Sequence, residues 1–158
     1  MKLFLSHTKR DPAGLKIATA LKRHLDGLRV DRFFDEVSIQ PGDELGDTLK
    51  AEIDDAAVVA IRTDQYVSSP WCRMELDLAK RARRPMVVVD ALSTREQRSS
   101  PLLTNLPSVR LAESETQSAE RLAWVTTSIG LEVLRFLYAG QQLELLKQGG
   151  WSRLMPFC

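Results

Sequence analysis

Ala57-Val58-Val59-Ala60-Ile61 is a continuous run of apolar residues near the middle of the chain. A strand that is apolar at every position is typical of a parallel sheet covered on both faces, because neither side of the strand meets water. Short segments elsewhere predict further strands of the same sheet: Lys2 to Ser6, Val30 to Asp35, Met86 to Val89 and Ser108 to Leu111. The run at 57–61 therefore favours an α/β protein.

Helical patterns separate these strands. Asp11 and Pro12 predict the start of the first helix, because aspartate caps a helix N-terminus and proline suits its first position. Apolar residues then recur at spacings of three and four, which predicts one face packed on the sheet: Leu15, Ala18, Leu21, Leu25 and Leu28. The same spacing predicts a helix after Asp43 with Leu45, Leu49, Ile53 and Ala56. It also predicts a long last helix with Leu122, Val125, Ile129, Val133 and Phe136.

The alternation of strands and helices predicts a flavodoxin-like fold: a five-stranded parallel sheet in the order 2-1-3-4-5 with helices on both faces. Ligands of such sheets bind beyond the carboxyl ends of the strands, where the strand order reverses. In this chain that point lies between strands one and three. The segments Ser6 to Arg10 and Arg62 to Glu75 are therefore expected to line a crevice there.

The composition is that of one ordinary globular domain, with 158 residues of which 44% are hydrophobic and 27% charged. The formal net charge of +1 gives no reason to expect nucleic acid or a membrane surface as a partner. Two histidines and two cysteines suggest neither a metal site nor a disulfide framework, and no apolar leader follows Met1. We expect a cytoplasmic protein without a metal.

The segment Ser68 to Leu76 contains the strongest candidate for chemistry. Trp71 and Glu75 are four residues apart on a predicted helix, so they lie on the same face, one turn from each other. An apolar ring beside one acid suits a nucleotide-like ligand on which positive charge develops. The alternative is a buried tryptophan anchor with a surface glutamate. The position of the segment in the crevice favours a functional role for Glu75.

Three separated blocks together resemble Toll/interleukin-1 receptor (TIR) domains. The blocks are Phe4-Leu5-Ser6-His7 at the end of strand one, Phe34-Asp35 followed by a loop with Pro41-Gly42, and the segment Ser68 to Leu76. The resemblance spans Lys2 to about Tyr138, nearly the whole chain. The third block is most similar to plant TIR domains, and the first is similar to bacterial ones.

The resemblance implies one of two functions. Plant, bacterial and axonal TIR domains are NAD⁺ hydrolases with one glutamate at the position of Glu75, and the Trp71-x-x-x-Glu75 spacing matches that branch. We therefore expect an NAD⁺ nucleosidase that releases nicotinamide and ADP-ribose, or a cyclic ADP-ribose, with NAD⁺ as substrate and no cofactor. The alternative is a non-catalytic adaptor that signals through TIR–TIR association, as many animal members do.

The same resemblance implies roles for residues near Glu75. Glu75 would accept hydrogen bonds from the ribose hydroxyls and stabilise the cation formed as nicotinamide leaves. Trp71 would stack on the nicotinamide or ribose end, or would merely close the core. Ser6 and His7 would hydrogen-bond the ribose or a phosphate, although a histidine at a strand end often only caps backbone groups.

Further residues are assigned to substrate binding or assembly. Lys9 and Arg10 are expected pyrophosphate partners, because the chain has no glycine-rich phosphate loop; the alternative is a solvated charged loop. Phe34 and Asp35 end strand two, and Asp35 would hold a ribose hydroxyl. The resemblance implies that loop 36–43 docks on a neighbouring TIR domain and completes the site.

The chain is expected to divide into a TIR domain at 1–140 and a helical extension or linker at 141–158. The apolar tail predicts a sensor domain beyond this sequence, and the alternative is a tail packed on its own core. With a sensor, the chain would be an effector module of immune or anti-phage defence, activated by self-association.

Two rival families share a similar sheet. A phospho-receiver domain could use Asp64 as acceptor, but Phe4-Leu5-Ser6-His7 contains no acid pair to hold Mg²⁺. A nucleoside deoxyribosyltransferase also uses a glutamate on a sheet of this kind.

Overall fold

Parallel strands and helices alternate along the chain. The computed structural model describes residues 2–28, 33–34, 45–93 and 101–148. The strands are β1 (Leu3–Ser6), β2 (Phe33–Phe34), β3 (Ala57–Arg62), β4 (Met86–Asp90) and β5 (Ser108–Arg110). The helices are α1 (Pro12–Asp26), α2 (Leu45–Ile53), α3 (Pro70–Arg81) and α4 (Ala119–Gln148). The predicted α/β class with a parallel sheet is confirmed.

The strands lie side by side as β2-β1-β3-β4-β5, and every pairing is parallel. β2 is a two-residue pairing on the outer edge of β1, so the other four strands form the body of the sheet. Ser6, the last residue of β1, lies opposite Ala60 of β3. The loops that follow β1 and β3 therefore leave the same edge of the sheet and flank one crevice.

β3 is covered on both faces, as its apolar run predicts. Leu5 and Val59 point to one side and belong to a buried cluster with residues of α1 and α4. Phe4 and Val58 point to the other side, into a second cluster with residues of α2 and α3. Each buried Val or Leu side chain contributes about 1.5–3 kcal/mol, so the two layers hold the sheet and the crevice in place.

Helix α1 begins as predicted, but its buried face differs from the expectation. The Asp11 side chain accepts a hydrogen bond from the Ala13 backbone N–H at 3.0 Å. Leu15 is 43% exposed, because successive residues of a helix point about 100° apart and the preceding residue, Gly14, is the one that packs inward. Leu28 is 55% exposed, because the helix has already ended at Asp26. The residues that do face the core are Gly14, Ile17, Ala18, Leu21 and Leu25.

Helix α4 packs on the sheet only through its first half. The predicted stripe is buried at Leu122, Val125, Ile129 and Val133. The prediction for Phe136 was wrong: its side chain is 46% exposed, because burial ends at Val133 and every residue from 134 to 148 is exposed. The helix continues through Gly140, so residues 141–148 belong to it. By length and composition alone α4 could cross a membrane, a weak criterion that core helices of soluble proteins also meet.

Candidate functional site

Helix α3 places Glu75 beside the crevice. A single turn of 3₁₀ helix, Tyr66–Ser68, follows β3 and leads the chain to the start of α3. The Ser69 side chain accepts a hydrogen bond from the Cys72 backbone N–H at 3.3 Å, and Pro70 occupies the first helical position. The helix predicted for this segment is confirmed. Glu75 lies in the second turn and is only 5% exposed.

Glu75 is joined to the end of β1 by a chain of hydrogen bonds. Ser6 Oγ donates to Glu75 Oε2 at 2.5 Å and lies 2.6 Å from the Tyr66 hydroxyl oxygen. Because a serine hydroxyl has one proton to donate, the Tyr66 hydroxyl donates to Ser6 Oγ. All three side chains are buried. The Tyr66–Ser6–Glu75 chain therefore fixes the carboxylate at the edge of the sheet where β1 and β3 end.

Burial raises the pKa of Glu75 from 4.5 to about 7, because the ionised carboxylate loses its contact with water. Three interactions favour the ionised form and limit this rise: the hydrogen bond from Ser6, the nearby Trp71 side chain and the positive charge of Lys9. The carboxyl group therefore titrates close to neutral pH. A carboxyl group poised in this way near a crevice is a frequent property of active sites.

Trp71 combines a structural contact with a polar one. Its ring is half-buried and packs against the apolar cluster on the α2 and α3 side of the sheet. Trp71 also lowers the pKa of Glu75, so the two side chains lie close together. The structural role that the sequence offered as the alternative for Trp71, a contact that closes the core, is therefore present. Stacking on a ligand stays a prediction.

The predicted residues after β1 lie in different surroundings. Ser6 and His7 are buried, whereas Lys9 and Arg10 are exposed. The Ser6 hydroxyl is committed to Glu75 and Tyr66, so its observed contact is with the acid. Lys9 lies close enough for its charge to lower the pKa of Glu75. Nucleotide contacts of these four residues stay predictions.

The predictions for strand two and the loop after it fall largely outside the described residues. Phe34 lies in β2, with its backbone opposite Phe4 of β1. Asp35, loop 36–43 and the tail 149–158 lie outside the described residues. Their proposed roles stay predictions. Within the described ranges, no group of three or more His, Cys, Asp and Glu side chains could hold a metal ion.

Cys72, one helical turn before Leu76, carries a thiol, which is the second chemically reactive type of group near Glu75. It is a buried thiol without a disulfide partner, on the inner face of α3. Burial raises the pKa of Cys72 to about 11. The thiol is therefore protonated at neutral pH and is a poor nucleophile.

Two features of the crevice were not predicted from the sequence. The first is Tyr66, a buried aromatic residue whose hydroxyl reaches Ser6; its only signal was a tyrosine inside the segment predicted to line the crevice. The second is an ion pair of 2.7 Å between Arg62 Nη2 and Asp90 Oδ2, at the ends of β3 and β4. Both residues end neighbouring strands, so the sheet order together with the strand bounds would have predicted their contact.

Comparison with known proteins assigns most of the chain to one family. The family model described as TIR domain matches residues 3–123. The match extends from β1 to the first turn of α4 and includes every member of the Tyr66–Ser6–Glu75 chain. No curated protein matches the chain.

Proposed function

The chain belongs to the TIR domain family, and from this membership we propose that it is an NAD⁺ nucleosidase with Glu75 as its catalytic acidic residue. The observation that carries the proposal is the position of Glu75: a buried carboxylate at the point where the strand order reverses, hydrogen-bonded to the last residue of β1. Ligands of parallel sheets bind at this point, so the position supports contact between Glu75 and a substrate.

The reaction breaks the bond between ribose C1′ and the ring nitrogen of nicotinamide. The bonding electron pair leaves with the nitrogen, so the cationic pyridinium departs as a neutral base and requires no protonation. One carboxylate can therefore suffice, whereas ordinary glycosidases use two. The positive charge that remains on the ribose is resolved when water adds to C1′ and loses a proton, which gives ADP-ribose. Attack by the adenine of the same molecule would give a cyclic product instead.

Glu75 acts in this reaction as an anion. The ionised carboxylate accepts hydrogen bonds from the ribose hydroxyls and stabilises the cation as it forms. Ser6 holds the carboxylate through a hydrogen bond, and Ser6 and Trp71 both favour its ionised form. Because the pKa of Glu75 is about 7, the proposal requires that kcat/KM rise with pH through that value.

Substrate binding would involve the residues around the crevice, with NAD⁺ as substrate and no cofactor. Lys9 and Arg10 are exposed cations beside it, suited to a pyrophosphate. His7, Phe34 and Asp35 would contact the sugars.

Activity would depend on assembly. TIR domains generally associate homotypically, and we propose that loop 36–43 makes this contact and completes the site. A sensor domain after residue 158 would drive the association, in a cytoplasmic effector of immune or anti-phage defence.

A non-catalytic adaptor is the second candidate function, and one observation favours it. Glu75 is 5% exposed and its carboxylate accepts a hydrogen bond from Ser6, as in a site closed to ligands. The two functions differ in a direct way, because only the enzyme consumes NAD⁺.

Turnover of NAD⁺ by the purified chain and by Glu75→Gln tests the proposal. Reaction products are separated by chromatography, at several protein concentrations and with a crowding agent to promote association. Removal of one electrostatic partner typically costs ~10²–10³ in rate, so Glu75→Gln should lose at least that much activity. Glu120→Gln, an exposed change in α4, should retain full activity. Absence of nicotinamide release under all conditions would leave the adaptor function.

A further inference from the structure

A second concave site lies at the opposite edge of the sheet from Glu75. It is a cleft of about 890 Å³ between the end of α3, the start of β4, the turn that precedes β5 and the middle of α4. We call it the basic cleft. Met86, on its floor, begins β4, whereas Ser6 and Glu75 lie where the strands end. Its volume is within the range typical of small-molecule sites, about 300–1,000 Å³.

The lining of the basic cleft combines an apolar floor with a cationic rim. The apolar part is formed by Met86, Leu106, Pro107 and Phe136. The cations are Lys80, Arg83, Arg84 and Arg135. The only lining carboxylate among the described residues, Glu132, is paired with Arg135 and so does not neutralise the others. The cleft therefore presents an apolar surface beneath an excess of positive charge.

Two of the rim cations donate hydrogen bonds to backbone carbonyl oxygens. Lys80 Nζ donates to the Pro101 carbonyl oxygen at 3.3 Å, and Arg84 Nε donates to the Ala56 carbonyl oxygen at 3.0 Å. These bonds hold the rim in place. Arg83, by contrast, is exposed, and across the described part of the chain its guanidinium makes no hydrogen bond or ion pair. Its five donors are available to a ligand.

The backbone of Arg83 has an unusual conformation for a residue with a side chain. Arg83 has φ 51°, in the left-handed region, where it ends α3 through a bond from its N–H to the Lys80 carbonyl oxygen. Glycine is strongly preferred at this position after a helix, because any Cβ is unfavourable there. Asn105, which also lines the cleft, has φ 64°. The described ranges contain no other non-glycine residue with positive φ, and strained residues of this kind cluster at functional sites.

We propose that the basic cleft binds a phosphorylated small molecule with an apolar, aromatic body. Its phosphate lies against the Arg83 guanidinium, which matches two phosphate oxygens at once. Its ring lies on the apolar floor against Phe136, an aromatic side chain left 46% exposed where α4 leaves the sheet. This site is separate from the crevice, and the proposal does not depend on NAD⁺ turnover.

Phenyl phosphate is the minimal probe of this chemistry, with inorganic phosphate as the probe of charge alone. Each is titrated into the full chain and followed by ¹H–¹⁵N NMR. Phenyl phosphate should bind at least tenfold more tightly than inorganic phosphate and should shift the amide signals of Arg83, Asn105 and Phe136. Shifts confined to residues around Glu75 would overturn the proposal, as would the absence of saturable binding by phenyl phosphate.

Arg83→Gly separates binding from folding. The glycine removes the ligand contact and relieves the backbone, so phenyl phosphate affinity should fall at least tenfold while the midpoint of thermal unfolding stays equal or rises. Arg81→Ala is the matched control: Arg81 belongs to the same helix end, pairs with Asp77 at 2.8 Å and does not line the cleft, so its affinity should stay within twofold. Equal affinity in wild type and Arg83→Gly would refute the proposal. Binding of an acidic peptide without binding of phenyl phosphate would refute it in favour of a protein partner.

Discussion

Ser6→Ala tests the central interaction of the crevice without any assumption about substrate. The hydroxyl of Ser6 donates to Glu75 at 2.5 Å, and this bond lowers a pKa that burial raises to about 7. Alanine removes the hydrogen-bond donor and adds no polar group in its place, so the carboxyl group of Glu75 should hold its proton more tightly. The variant should therefore titrate at higher pH than the wild type.

The size of the shift follows from the strength of the lost bond. A hydrogen bond to a charged group contributes about 1.5–3 kcal/mol. One pKa unit corresponds to about 1.36 kcal/mol, so the pKa of Glu75 in Ser6→Ala should rise by roughly 1–2 units. The variant should also lose about 1–3 kcal/mol of unfolding free energy, because the fully buried Tyr66 hydroxyl loses its acceptor.

The assay is titration of the Glu75 carboxyl carbon by ¹³C NMR in both proteins. Ser128→Ala serves as a control, because the Ser128 hydroxyl donates to the Trp124 carbonyl oxygen within α4 and, among the described residues, does not contact Glu75. Its Glu75 pKa should match the wild type. If the Glu75 pKa in Ser6→Ala is unchanged or lower, the Tyr66–Ser6–Glu75 chain does not control the acid, and the account of the crevice fails.

Two further predictions concern stability. Folded Glu75 holds its proton more tightly than unfolded glutamate, so its contribution to the unfolding free energy is fully present below pH 4.5 and is lost as pH rises to about 7. The wild type should therefore lose up to about 3 kcal/mol of unfolding free energy between pH 5 and pH 8, and Glu75→Gln should not show this loss. Urea unfolding that depends on pH in the same way in both proteins would contradict this prediction. Ser69→Ala removes the cap of α3 and should cost about 1 kcal/mol in unfolding free energy by chemical denaturation. A loss below about 0.3 kcal/mol would show that Pro70 alone suffices to start the helix.

Local patterns in the sequence predicted the parts of the fold that depend on neighbouring residues. The run at 57–61 predicted a strand covered on both faces, and the spacing of Trp71 and Glu75 predicted their contact. Leu15 fits the helical spacing but points about 100° away from the buried Gly14. Phe136 also fits the spacing, but the spacing does not show where the sheet stops covering a helix. Tyr66 could not be paired with Ser6 from the sequence, because that contact depends on how β3 and β1 lie together.

The three hydrogen-bonded groups of the crevice are distant in the chain, although they touch in the fold. Ser6 is 60 residues from Tyr66 and 69 from Glu75. During synthesis β1 leaves the ribosome first, and α3 emerges many seconds later at the slowest elongation rates of about 5 residues per second. Until α3 docks, Glu75 is an ordinary hydrated glutamate with an ordinary affinity for its proton. The altered acid thus comes into being only in the completed domain, and its titration would report whether a newly made molecule has finished folding.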